Sequence, residues 1–536
     1  MKIYRYLKIL AASSLFLACN DMLETVPLDQ LSTDTYWSNE NDAKMALMGV
    51  YANGSVGSRG NIGFRVFDTY LTLDAMTDNG NEKDQILTHF NNGELTSSNS
   101  TVLNLWKASF ENIGRANNLI ENIDRVPMDA AKINMMKAEA KFLRAYMYFN
   151  LVTYWGDVPL VTKVLSIAEA NSIERTSKSE VVNFLLTDLT EAISHLPLTR
   201  PDAEYGRVTK AGALAIKARI LMAEKRWSEA AATYKEIIDS GLYTIDDDYK
   251  RLFVAGNERS NEIILAIKYR EDNYRTEIQR SVVPFQFGGW HQYNVFNELV
   301  ESYWMTDGKT IQDSPLYDPK KPYDNRDPRM DMSIFIPGRT LWKGQLFVLH
   351  PDAGGAWRLT DRDWSGYGLK KFADETHTAA INNYGGDYPM IRYAEILLGY
   401  LESKLEAGDV IDQNLLDLSI NRLRKRATVN MPSVTETNPA ALREIVRRER
   451  RIEMAFEGLR LYDLHRWGIS HQVMKGQFHG MKLTDNPANY TALPVNENGY
   501  FRYIIKNFRQ NVDYLWPIPQ REIDINPNLN QNPGYN

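Results

Sequence analysis

Apolar residues recur every three or four positions through long stretches of this chain, which commits those stretches to amphipathic helices. Over 103–123 the residues Trp106, Phe110, Ile113, Ala116, Ile120 and Ile123 fall on one face. Over 133–154 Ala138, Phe142, Ala145, Tyr148 and Phe149 do the same, and Gly156 and Pro159 stop the run. The short link between them reads as the turn of an αα-hairpin. Further periodic runs start at Asn41, with Ala43, Ala46, Leu47, Val50 and Tyr51 on one face, and cover 181–196, 391–407 and 415–427.

Residues 209–240 narrow the choice. Leu214, Ala218, Leu221, Trp227, Ala230 and Tyr234 follow the spacing of a tetratricopeptide unit. Small residues stand where two helices touch and large ones where they fill space. Gly241 caps the second helix. The middle, about 245–390, is rich in Gly, Pro, Trp, Asp and Asn and has no helical period. Short strand-like runs occur at 263–267 and 333–336. So long a stretch is not idle connection and forms a subdomain of its own. The expected fold is mostly α: a tetratricopeptide-like helix-pair scaffold with an irregular, loop-rich subdomain carrying short strands. Residues 41–536 make one domain, with scaffold mainly in 41–240 and 391–470, the irregular part at about 245–390, and a loop-rich 480–536.

The 536 residues are 43% hydrophobic and 24% charged, which supports a packed body. A net charge of −6 excludes the basic footprint of a nucleic-acid binder. Lys2, Arg5 and Lys8 precede an uncharged run at 9–18, the pattern of a secretory signal. That run is shorter than the ~20 residues a membrane span needs. It ends at Cys19, the only cysteine, after Phe16-Leu17-Ala18. The arrangement resembles a bacterial lipobox, in which the cysteine is lipidated and becomes the mature first residue. Residues 1–18 are therefore expected to be a lipoprotein signal peptide, and 19–40 a lipidated Cys and tether. An ordinary cleaved signal with an incidental cysteine is the alternative. A single cysteine excludes an intramolecular disulfide.

Catalytic signatures are missing. There is no G-x-S-x-G, H-E-x-x-H, P-loop or helix-opening G-x-G-x-x-G. His465 and His471 are close, but no further ligand completes a metal set. Asp68, Asp74, Asp78 and Asp84, with Asn79 and Asn81, lack the spacing of a calcium loop. No catalytic residue, metal or cofactor is assigned. The charged run 443–453 sets Glu444 four before Arg448 and Arg450 three before Glu453, an internally compensated face. Ile445, Ile452, Phe456 and Leu459 give it an apolar stripe, so it reads as a structural helix.

That run continues as RRERRIEMAFEGLRLYDLHRWG at 447–468. YWGDVPLV at 154–161 follows AEAKFLRAYMYFNLV at 138–152, RYAEILLGYLE spans 392–402, and LWPIPQREIDINPNLNQNPGY spans 515–535. With the lipobox and a tether ending in Tyr36-Trp37, these segments resemble, in order, the SusD/RagB family of Bacteroidetes lipoproteins. The resemblance implies four tetratricopeptide-like helix pairs with a variable irregular subdomain on one side. It implies a non-enzymatic, outer-membrane, surface-facing protein. Such a protein captures an oligosaccharide or polysaccharide and delivers it to a TonB-dependent (SusC-like) transporter, on which it sits as a lid. A protein- or peptide-binding assembly module of that transporter is the alternative; a surface glycoside hydrolase is a third reading.

Ligand contacts are placed by chemistry. Sugar rings want flat aromatic faces, and hydroxyls want carboxylate, amide and guanidinium partners. Trp290, beside His291 and Tyr293 and after Gly288-Gly289, is the leading candidate. Arg362 and Trp364, Trp357 and Tyr384 follow, with Asp74 and Asp78 from an early loop, 74–92, that by resemblance approaches the same surface. Trp106, Trp227, Tyr303 and Trp304 read as helix packing.

Overall fold

The computed structural model describes residues 36–52, 66–83, 87–353, 359 and 365–535. The main helices are α1 (Glu40–Tyr51), α2 (Phe67–Ala75), α3 (Ser100–Asn122), α4 (Ala130–Trp155), α5 (Lys178–His195), α6 (Lys210–Ala223), α7 (Trp227–Asp239), α8 (Tyr393–Glu406), α9 (Gln413–Leu418), α10 (Ile420–Arg424), α11 (Pro439–Glu453) and α12 (Arg460–Trp467). Their starts follow from capping. Asn99, Asp129, Ser177, Thr209 and Asn438 each accept a hydrogen bond from a first-turn backbone N–H. The expected runs at 103–123, 133–154 and 181–196 fall on α3, α4 and α5, 209–240 divides into α6 and α7, and 391–407 is α8 after two residues that belong to a strand.

These helices stack in sequence order. α3 packs on α4, α4 on α5, α5 on α6, α6 on α7 and α7 on α8, and α8 then meets α11. The tetratricopeptide-like spacing works through close approach: a Cβ on Gly399 of α8 would lie 2.6 Å from the Tyr234 ring of α7. Only a glycine lets these two helices meet there. The run 415–427 is the exception. It breaks at Ser419, whose backbone leaves the helical region at φ −114°, ψ −102°. The Ser419 hydroxyl donates to the Leu415 carbonyl, a local bond that competes with helix continuation.

Strands β1 (Gly80–Glu82), β2 (Ile263–Ile267), β3 (Tyr293–Val295), β4 (Ile334–Phe335), β5 (Leu341–Trp342), β6 (Gln345–Leu346), β7 (Gly368–Leu369), β8 (Tyr388–Arg392), β9 (Lys475–Lys482) and β10 (Tyr500–Asn507) form small sheets. One has the order β1-β3-β7-β4; β2 pairs with β8, β5 with β6 and β9 with β10. The expected strand at 263–267 is β2, and β4 falls within 333–336. Within the loop-rich C-terminal segment, the β9–β10 hairpin is an element that the sequence does not announce. Gly476 and Gly480 interrupt β9, and the pairing shifts register twice, so no clean alternation marks it.

α11 is structural, but its charges are not balanced along its own face. Arg450 pairs with Asp463 at 2.7 Å rather than with Glu453. Glu453 instead meets Arg329, Arg392 and Arg426 at 2.9, 3.1 and 2.8 Å. Glu449 takes Arg329 and Arg424, Glu262 takes Arg392 and Arg426, and Glu457 takes Arg392 and Lys371. Glu453 and Arg329 are wholly buried. Burial by itself would raise the Glu453 carboxyl, yet Arg426, Arg392 and Arg329 hold it well below the usual carboxylate range. A carboxyl depressed by folding contributes stability that is full above its unfolded value, ~4.3, and is lost as pH falls below it. Glu453→Gln removes the one carboxylate that three buried guanidinium groups share and is expected to cost about 3–5 kcal/mol, read as a lowered urea midpoint at pH 7. The deficit relative to wild type shrinks as the pH is taken below ~4.

Candidate functional site

The four-stranded sheet joins the two sequence regions expected to share a surface. Gly80, Asn81 and Glu82 of β1 pair with Val295, Asn294 and Tyr293 of β3. A Cβ on Gly80 would sit 2.2 Å from the Asn294 carbonyl oxygen, so glycine is what allows this approach. Beyond the ladder, the Lys83 backbone N–H donates to the Gln292 carbonyl at 2.8 Å, and Gln292 Nε2 donates to Glu82 Oε1 at 2.6 Å. Lys83 of the early loop is thus paired two residues from Trp290.

Trp290 lies on the loop that leads into β3. Its backbone N–H donates to the Arg280 carbonyl at 2.6 Å, and those of His291 and Gln292 donate to Val283 and Ser281. Gly288 turns with φ +88°, and a Cβ on Gly289 would strike the Val283 carbonyl oxygen. The ring is half-buried, with the Arg280 guanidinium 4.1 Å from its centroid. Phe285 on the same loop is 51% exposed. Gln286 fastens the loop to β6 by donating to the Leu346 carbonyl and accepting from the Val348 N–H. Leu346, to which Gln286 is fastened, and its strand partner Leu341 are exposed as well. Sequence reading missed Phe285, whose neighbours resemble a core segment.

Four expected contacts are corrected. Asp74 is fully buried; its two oxygens accept from Asn79 Nδ2 at 2.8 Å and Gly458 N at 2.6 Å. Burial pushes its carboxyl up to about 7 against the pull of those bonds. Asp78 is clasped by Arg460 through both oxygens, at 2.9 and 2.8 Å, and by Arg451 at 3.1 Å. Burial would raise it, and the two arginines hold it far below the usual range. Tyr293 is buried and donates to Asp68 Oδ1. Tyr384 is buried between Asp374 Oδ2, to which it donates, and the Ala255 N–H, from which it accepts. All four are interior, with their polar atoms held by the protein. Trp357, Arg362, Trp364 and Cys19 lie outside the described residues. Tyr303 and Trp304 are buried, as expected; Trp304 Nε1 donates to Glu449. His291 is also interior, and burial lowers it to about 4.

Beside the same sheet edge a groove of about 490 Å³ opens between the early loop and β10, lined by Asn81, Lys83, Thr88, Asn92, Gln477 and Arg502. The approach is close: a Cβ on Gly93 would lie 2.5 Å from the Asn507 carbonyl oxygen. Lys506 of β10 donates to the carbonyls of Ala75, Thr77 and Gly80, fixing the turn that enters β1. The groove's amides and cations suit hydroxyl-rich ligands. Among the described residues no three His, Cys, Asp or Glu side chains are placed to hold a metal ion.

A stack of helix pairs that presents a loop-built face with aromatic and amide groups belongs to the class of helical binding scaffolds. Residues 261–535 match the family model described as "SusD family", and 27–222 match one described as "Starch-binding associating with outer membrane". The chain belongs to the SusD family. A relative, "SusD-like protein P25" of Formosa agariphila, is 24% identical over 97% of this chain and 96% of its own. The crystal structure of a SusD-like carbohydrate binding protein from Bacteroides fragilis has a TM-score of 0.88 and 34% identity, covering 92% of this chain and all of that one. A laminarin binding SusD-like protein shares the fold, with a TM-score of 0.69 and 24% identity over 93% of this chain and all of its own.

Support and contact are separable by experiment. Asp78→Ala leaves Arg451 and Arg460 facing an empty partner and is expected to cost about 3–5 kcal/mol in a urea titration. Trp290→Ala, on a half-exposed loop, is expected to shift the midpoint by under ~1 kcal/mol.

Proposed function

We propose that this chain is a cell-surface oligosaccharide-binding lipoprotein that captures a glycan and delivers it to a TonB-dependent outer-membrane transporter. It binds without cleaving. The observation that carries this reading is the meeting of the early loop and the Trp290 loop on one sheet edge of a SusD-family scaffold. Trp290 and Phe285 offer ring faces for the apolar side of a sugar, and Lys83, Asn92, Gln477 and Arg502 offer partners for its hydroxyls. Trp357, Arg362 and Trp364 belong to the same proposed contact set. The relatives support it: one is a carbohydrate binding protein, another binds laminarin, and a family model is described as starch-binding and associating with the outer membrane. A lipid on Cys19 would hold the chain at the membrane. No helix among the described residues is long and apolar enough to cross one.

Hydroxyls give up water on both partners, so short sugars bind modestly and affinity grows as more of the surface engages. The test is calorimetry of residues 20–536 against a polysaccharide panel, with each mixture assayed for released reducing sugar. The described fold begins at residue 36, so this truncation removes none of it. The expected result is binding to one glycan class without hydrolysis, weakened about tenfold, or 1.4 kcal/mol, in Trp290→Ala. Cys19→Ala is expected to move the full-length chain from the membrane fraction to the soluble one. Release of sugar, or failure of every glycan to bind, would sink the proposal.

A further inference from the structure

A second cavity, of about 470 Å³, lies between α11, α12 and the 304–313 segment. Its walls include Trp304, Lys309, Arg447, Arg448 and Trp467, with Ile445, Ile469 and Val473 as apolar surface. α11 carries five arginines. Arg443, Arg450 and Arg451 reach Glu406, Asp463 and Asp78 at 2.5, 2.7 and 3.1 Å. Arg447 and Arg448 reach no carboxylate and make no hydrogen bond among the described residues, and the Nε of Arg447 is buried without a partner. Each guanidinium instead lies over an indole. Arg447 is 4.8 Å from the Trp467 centroid, and Arg448 is 4.9 Å from that of Trp304.

The indoles are themselves bolted in place. Trp467 Nε1 donates to Glu402 Oε1 at 2.7 Å, and Trp304 Nε1 donates to Glu449 Oε2 at 2.9 Å. The two arginines are therefore held over the indoles, half-buried and in no ion pair among the described residues. Burial lowers the Arg448 pKa from its ordinary value, opposed by Asp313 and Glu444 at the rim. A desolvated guanidinium without a partner is costly. Its planar fork matches the two oxygens of a carboxylate or sulfate, and stacking on an aromatic face pre-orients it. Of the other wall cations, Arg451 and Arg460 face inward to Asp78, which leaves Lys309 as a further positive charge beside Asp313 and Glu444.

We propose that this cavity is a second binding site, separate from the Trp290 loop, that takes an oxyanion of the carboxylate or sulfate kind carried on an acidic sugar. The volume falls within the ~300–1,000 Å³ of small-molecule pockets and exceeds what a bare ion fills. The apolar wall suits ring carbons. The sugar half of this assignment rests on the glycan-binding reading above, while the oxyanion half does not.

The test is calorimetry of residues 20–536 with trigalacturonate, with sodium sulfate and with maltotriose, repeated in Arg447→Gln/Arg448→Gln, Glu444→Gln and Trp290→Ala. Trigalacturonate is expected to bind wild type, to weaken with added sodium chloride, and to lose about tenfold in the double variant. That variant should melt at the wild-type temperature, because neither arginine holds a carboxylate. Glu444→Gln removes a rim charge and is expected to tighten binding about twofold, a gain that damage to the fold does not produce. Trp290→Ala should leave trigalacturonate unaffected. Sulfate binding as tightly as the trimer overturns the sugar half. No binding of either anion, or equal binding in the double variant, overturns the site itself. Maltotriose is the neutral control of the same length, and the polysaccharide panel above reports on the Trp290 surface, so the two proposals fail separately.

Discussion

Glu453 is the point on which the fold is pinned. It gathers Arg329 from the irregular subdomain, Arg392 from the junction of β8 and α8, and Arg426 from just beyond α10. Glu449, one turn earlier on α11, takes Arg329 and Arg424, so two carboxylates on one helix tie three separate chain segments together. Ionic groups at this depth add little net stability compared with a well-packed apolar core, but removing any one member is costly. Their value here is positional. Apolar packing would tolerate sliding of the subdomain over the helices; a guanidinium fork shared between carboxylates does not.

The candidate surface inherits that positioning through a short series of supports. α11 places Arg451 and α12 places Arg460, and both grip Asp78. Lys506 grips the backbone on either side of it. The turn so held delivers β1 to β3 in register, and β3 begins where the Trp290 loop ends. Rigid elements thus lie beneath, and the residues that differ in exposure and chemistry lie on the loops above. A binding site built this way keeps its geometry while its contacts remain free to vary.

The helices were legible because burial of one stripe writes a 3.6-residue period into the sequence. So was one helix end, at Gly156, whereas the close approach at Gly399 lies outside the repeat-like 209–240 and shows only in the fold. β9 and β10 were not, because two register shifts erase the alternation that marks a strand. The acidic residues misled for a different reason. Asp74 and Asp78 sit among Thr, Asn and Gly, a composition that reads as exposed loop, and their partners at 451, 458 and 460 are hundreds of residues away. Local sequence carries no trace of such pairing. The same holds for Tyr293 and Tyr384, whose rings are covered from elements that only the fold brings near. The charged run on α11 was correctly taken as structural, but its i, i+4 pattern hid that its true partners lie elsewhere. Trp290 was singled out by its Gly and polar neighbours, and it is half-exposed where Trp304 and Trp342 are buried.

The grip of Arg460 on Asp78 spans 382 residues of chain. A ribosome builds the early loop first and the residues that fix it almost last. Until Arg451, Arg460 and Lys506 have emerged, the segment entering β1 has no ionic clasp and no fixed path. The surface that Trp290 shares with that loop is therefore among the last parts of the molecule to be completed. A nascent or truncated chain lacking the final quarter carries the aromatic half of the surface without its partner.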